Sequence, residues 1–166
     1  MVARYNFLAH QLYGFDDKLQ GQIPVEHRDR YARAILTIAA ADGLSDSEAE
    51  YFANLSAIMQ MPEEMIAHYL KYDTSSTSLE ELLSPLHDAV PGAHPAGYLL
   101  YDAIKVASVD GYSEKERAKV AEGAKLLGVS AEHLAQLEGL VAAERGLRTV
   151  RIATFEAVSK ARVRSR

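Results

Sequence analysis

The sequence predicts an all-α fold: a single helical domain of about seven to eight helices with an internal pseudo-two-fold repeat. Three observations carry this. Apolar residues recur at helical spacing along most of the chain, while strand-like alternation is hard to find. Glycine, proline and serine fall where helices should stop and start. Finally, a shift of 68 residues lays positions 31–70 on positions 99–138 without a gap.

Taken in order, the first expected helix covers about residues 3–19, with Tyr5, Leu8, Leu12 and Phe15 on one side. Gly21 to Pro24 is a break, and Pro24 suits the first position of the next helix. That helix carries Tyr31, Ile35 and Ile38 to Asp42, and Gly43 ends it. A third starts after Ser45 with Tyr51, Phe52, Leu55 and Ile58; Pro62 opens a fourth with Met65, Ile66 and Tyr69. Residues 73–78 are a polar linker, and Ser78 with Glu81 caps a short helix that Pro85 bends or restarts. After the loop from Pro91-Gly92 to Pro95, a helix from Tyr98 carries Leu99, Ile104 and Val106 to Asp110, ended by Gly111. Another runs from Ser113 to Leu127-Gly128, and Ser130 caps the last, which extends to about Val158. Tyr69 and Tyr72, like Tyr98 and Tyr101, are spaced for core or rim packing.

The repeat is the firmest of these readings. Ala39-Ala-Ala-Asp-Gly-Leu-Ser-Asp-Ser-Glu48 falls on Ala107-Ser-Val-Asp-Gly-Tyr-Ser-Glu-Lys-Glu116, and eight positions of the aligned forty are identical. Others exchange like for like, such as Ile38 with Val106 and Ile58 with Leu126. Units of about 25–72 and 95–140 therefore belong to one domain over 1–166, with a basic C-terminal helix at about 130–160. Two copies are too few for a solenoid, so their apolar faces should pack on each other.

The composition is that of an ordinary globular chain, 48 % apolar and 25 % charged in 166 residues. The absence of Cys excludes disulfides, thiol catalysis and Cys-ligated zinc, and it fits a reducing cytosol. The N-terminus lacks the apolar core of a signal peptide, and no window approaches the roughly 20 apolar residues of a membrane span. A cytoplasmic location is the expectation. The net charge of -5 is unevenly spread: residues 1–144 carry -11, and residues 145–166 carry +6. Such an acidic body repels phosphates, which argues against nucleic acid as a partner.

Each Asp-Gly-x-Ser-x-x-Glu turn has a structural explanation. Gly43 and Gly111 would supply the left-handed residue that ends a helix. Ser45 with Glu48 and Ser113 with Glu116 have capping-box spacing, and Asp46 and Glu114 suit the positive end of a helix dipole. Asp42 and Asp110 resist this account, since an acid in a last helical turn meets the negative end of the dipole. The competing reading is a divalent cation site. Asp42, Asp46 and Glu48, with Asp110, Glu114 and Glu116, offer hard oxygen ligands for Ca²⁺ or Mg²⁺, with Zn²⁺ as the remaining divalent candidate. Against it, Ile38, Ala40, Val106 and Ser108 stand where an EF-hand needs ligands, and helix-start amides repel a cation. On the residues alone, capping is the favoured reading.

The turns Ala-Ala-Asp-Gly-Leu-Ser-x-x-Glu and Ala-Ser-Val-Asp-Gly-Tyr-Ser-x-x-Glu, followed by Leu-Gly-Val-Ser at 127–130, resemble the tellurite-resistance TerB-like family over about residues 25–145. The resemblance implies an all-helical pseudo-two-fold fold with an acidic surface patch and a cytoplasmic, stress-associated role. It also implies metal-ion binding or docking to other proteins, without established catalysis, and relatives fused in co-chaperones fit the docking role. It carries Asp42, Glu48, Asp110 and Glu116 over as site residues. The N-terminal helix and the basic tail lie outside it.

Other chemistry is sparse. Glu64 and His68 are four apart on one helix and read as an ion pair sooner than as ligands. His87, Asp88 and His94 surround the Pro91-Gly92 loop and read as a solvated loop sooner than as transition-metal ligands. There is no His-Glu-x-x-His, no Glu-x-x-His and no phosphate-binding glycine loop, so no enzyme is expected. The last helix sets Leu147, Val150, Thr154, Phe155 and Val158 beside Arg148, Arg151 and Arg162. A protein partner or a homo-oligomer is the expected use of that face. Covering the chain's own acidic body is as much favoured as covering a second subunit, and peripheral membrane contact is less favoured.

Overall fold

The computed structural model describes residues 25–59, 61–86 and 95–164. The helix expected over 3–19 and the His87, Asp88 and His94 loop lie outside these residues. The described residues form seven α-helices: α1 (Val25–Ala39), α2 (Asp46–Ile58), α3 (Glu63–Tyr69), α4 (Leu79–Leu83), α5 (Pro95–Ala107), α6 (Glu114–Leu126) and α7 (Ala131–Arg164). Short 3₁₀ turns, Ala40–Asp42 and Ser84–Leu86, follow α1 and α4. The second of these is where Pro85 was expected to bend the chain.

The caps are where the sequence puts them. Ser45, Ser78 and Ser113 each accept the amide of the residue three ahead, and Glu48, Glu81 and Glu116 reach back to the serine amide. Ser130 accepts from the His133 amide at the start of α7. One expectation is corrected: Gly43 has φ +112, but positive-φ glycines among the described residues are Gly43 and Gly128 only. Gly111 does not need a glycine's backbone freedom, because α5 ends at Ala107 and the chain turns through residues 108–110 before reaching it. Asp110 therefore stands beyond the α-helix, and Asp42 in a 3₁₀ turn, so neither faces a last α-helical turn.

The repeat holds down to single hydrogen bonds. Met61 N donates to Ser56 O at 3.0 Å, and 68 residues on Val129 N donates to Ala124 O at 2.8 Å. Ile66 N to Pro62 O is likewise matched by Leu134 N to Ser130 O. The two central helices, α1 and α5, pack on each other. Ile35, Leu36 and Ile38 from one and Leu99, Leu100, Ile104 and Val106 from the other are almost fully buried. Around them lie Phe52 of α2, Tyr69 of α3, Leu79, Leu82 and Leu83 of α4, and Val120 of α6. Tyr69 and Tyr101 are core residues, while Tyr72 and Tyr98 are half-buried. Tyr69 also donates to Asp29 Oδ1 at 2.9 Å, and Asp29 pairs with Arg33 at 3.1 Å, tying α3 to α1.

Helix α7 is docked by its first half alone. Leu134 and Leu137 pack against the core, and Val141 is buried. Tyr101 donates to Glu144 Oε2 at 2.7 Å, and Arg145 donates to Val109 O at 2.7 Å. Burial and then the Glu144 carboxylate push the Tyr101 hydroxyl up to about 12. From residue 142 to residue 160 every position is exposed. The helix thus runs on as a strut for about 35 Å at 1.5 Å per residue. Over residues 142–160 the basic half therefore does not fold over the described part of the acidic body, against the expectation that it could cover it. Among the described residues no helix is long and apolar enough to cross a membrane.

Candidate functional site: an acidic cleft between the two capping turns

The pseudo-two-fold arrangement brings the two turns face to face. Asp42, Gly43, Ser45 and Glu48 from the first line one open cleft with Asp110, Gly111, Tyr112, Ser113 and Glu116 from the second, about 420 Å³ in volume. Four of the six acidic residues singled out in the sequence are therefore together. Asp46 and Glu114 are not among the lining residues; they are exposed on the first turns of α2 and α6.

Local structure fixes the inner two carboxylates. Glu48 Oε2 accepts from the Ser45 amide at 2.8 Å, and Glu116 Oε2 from the Ser113 amide at 2.6 Å. Because each glutamate folds back onto its own cap, it points into the joint between the turns, where Glu48 is 3 % exposed and Glu116 4 %. Glu116 beside it disfavours a negative charge on Glu48. Burial pushes the Glu48 carboxyl up, the Ser45 amide pulls it back, and Glu116 pushes it up again, from an ordinary 4.5 to about 7.

The outer two acids differ from each other. Ser45 Oγ, while accepting from the Glu48 amide, donates to Asp110 Oδ2 at 2.7 Å across the turns. That bond explains Asp110, and sequence reasoning missed it, although turns related by a two-fold could have been expected to meet. Asp42, its repeat partner, is exposed and makes no such bond to Ser113 among the described residues. Tyr112, also unforeseen, forms one wall; its ring lies under the Arg117 guanidinium at 4.0 Å. Burial and the nearby Glu138 raise its hydroxyl well above the usual tyrosine range.

With Glu48 and Glu116 engaged by amides and Asp110 by a serine, the acids do not form a ready-made metal cage. Among the described residues no three His, Asp or Glu side chains are grouped to hold a metal ion as they stand. The other candidates do not assemble a site either. Glu64 and His68 are exposed, and no ion pair joins them among the described residues.

No family model and no curated protein matches the sequence. Among solved structures, the chain is similar to the crystal structure of a tellurite resistance protein from Nostoc punctiforme, with 28 % identity and a TM-score of 0.71. The match covers 91 % of this chain and 91 % of that one. The TerB-like resemblance carried by the two turns thus extends to the path of the whole helical domain.

Proposed function

We propose that this chain is a non-catalytic, TerB-like module of a tellurite-resistance or stress response, which binds a hard divalent cation in the cleft between its turns. The supporting observation is the convergence of Asp42, Glu48, Asp110 and Glu116 on one cleft, two of them buried, with the Glu48 carboxyl pushed up by burial and by Glu116. A buried carboxylate pair avoids like-charge repulsion either by holding a proton or by holding a cation. Asp42 and Asp110 stand at the mouth, where they could complete an oxygen set once the proton leaves. No imidazole or thiolate lines the cleft, so its chemistry suits Ca²⁺ or Mg²⁺ over Zn²⁺. The similarity to a tellurite resistance protein supports the cellular context.

Calorimetric titration of the full chain with CaCl₂, MgCl₂ and ZnCl₂ tests this reading. Saturable heat with Ca²⁺ or Mg²⁺ is expected, stronger at pH 8 than at pH 6 because binding must displace the Glu48 proton. Asp42→Asn with Asp110→Asn should remove it. Absence of heat and of any thermal shift with all three ions at either pH would overturn the cation reading.

A further inference from the structure

We propose that the exposed half of α7 pairs antiparallel with the α7 of a second copy of this chain. Leu140, Ala143, Leu147, Val150, Thr154 and Ala157 follow one another at spacings of 3, 4, 3, 4 and 3, the period of a two-helix seam. They are exposed, Leu140 by 48 %, Leu147 by 59 % and Val150 by 62 %. Leu140 and Leu147 also edge the grooves between α7 and the body, while the seam as a whole is centred well around the helix from the buried Val141. Its one hydroxyl is already satisfied: Thr154 Oγ1 donates to Val150 O at 2.8 Å, which leaves its methyl for packing. The alanines allow close approach of a partner helix.

Charge selects the partner and its direction. In an antiparallel pair centred between Arg148 and Thr149, Leu147 meets Val150 of the partner subunit, Ala143 meets Thr154 of the partner subunit, and Leu140 meets Ala157 of the partner subunit. Each basic tail, +6 over residues 145–166, then runs towards the other copy's acidic body, -11 over residues 1–144. A parallel pair would set tail on tail and body beside body, both repulsive. The arrangement is isologous and closes as a dimer. An anionic membrane fits less well, because the seam is narrow and the acidic body would be held against the lipid headgroups. Ile152 and Phe155 fall outside the seam; Ile152 lines the groove between α7 and the body, whose edge Leu147 also reaches.

Sedimentation equilibrium of the full chain, in buffer with chelator so that the result is independent of cation binding, tests the proposal. A species of twice 18.2 kDa is expected at tens of micromolar, and Leu147→Glu with Val150→Glu should weaken it at least tenfold. Both positions are exposed, so unchanged helicity and melting temperature verify the fold. The natural chain has no Cys. A mixture of Leu147→Cys and Val150→Cys proteins should therefore give the mixed disulfide in preference to either homodimer. A chain that stays monomeric at 100 µM, including one that then sediments with phosphatidylserine vesicles, overturns the proposal. So does a dimer untouched by the double substitution, or preferential 147-to-147 cross-linking.

Discussion

Ser45 and Ser113 occupy the same position of the repeat and perform the same local task, yet they are not equivalent. Each accepts a hydrogen bond from the amide three residues ahead, at 3.2 Å in both copies. Ser45 alone also donates to a carboxylate of the other turn. Replacing Ser113 by Ala should cost about 1 kcal/mol, the usual loss of a serine cap. Replacing Ser45 by Ala should cost about 2 kcal/mol, because a hydrogen bond to a charged group is lost as well. Urea unfolding of the two variants measures the difference, and the excess for Ser45→Ala should vanish in an Asp110→Asn background where the charged acceptor is gone. Equal losses would mean that the bond across the turns contributes nothing to stability.

At the scale of the helices, the repeat shows where its two copies have diverged and why. Leu55 of α2 corresponds to Gly123 of α6, and both are buried. In the second copy the room a side chain would take is filled by Ile38, Leu100 and Leu79, which lie 3.4, 3.6 and 3.6 Å from where a Cβ would be. These are ordinary contact distances, so a methyl group fits whereas the leucine of the first copy does not. Glycine inside a helix costs roughly 1 kcal/mol relative to alanine. Gly123→Ala is therefore expected to stabilise the protein by about 0.5–1 kcal/mol, and Gly123→Leu to destabilise it by overpacking. Thermal melts of both variants decide this; a destabilised alanine variant would show that α6 and α4 pack more tightly than these distances imply. Helix ends were the most legible feature of the sequence, because Ser-x-x-Glu states its own geometry. The left-handed role expected for Gly111 was not legible, since the repeat preserves the residue while α5 stops earlier and turns differently from the 3₁₀ end of α1.

For the molecule as a whole, the 68-residue repeat made the all-α fold readable and implied that two similar halves would pack together. It did not say which surfaces would meet. Asp42, Glu48, Asp110 and Glu116 were legible as candidates one turn at a time, but their convergence depends on the packing of α1 against α5, which no spacing within either turn encodes. The same packing buries Glu48 against Glu116 and gives the domain a pH dependence that neither half would have alone. Folding raises the Glu48 pKa from 4.5 to about 7, so between those values the folded protein holds a proton that the unfolded chain has released. The contribution of this group to stability is fully present below about pH 4.5 and is lost as pH rises through about 7, a change on the order of 3 kcal/mol. Glu48→Gln keeps the cap, since glutamine also closes a capping box, and removes the carboxyl whose pKa is raised. Urea unfolding at pH 5, 6, 7 and 8 in metal-free buffer should show the natural protein losing stability towards pH 8 and the Glu48→Gln protein losing less. Parallel pH profiles for the two proteins would show that folding does not hold a proton on Glu48, and that the halves meet there without electrostatic coupling.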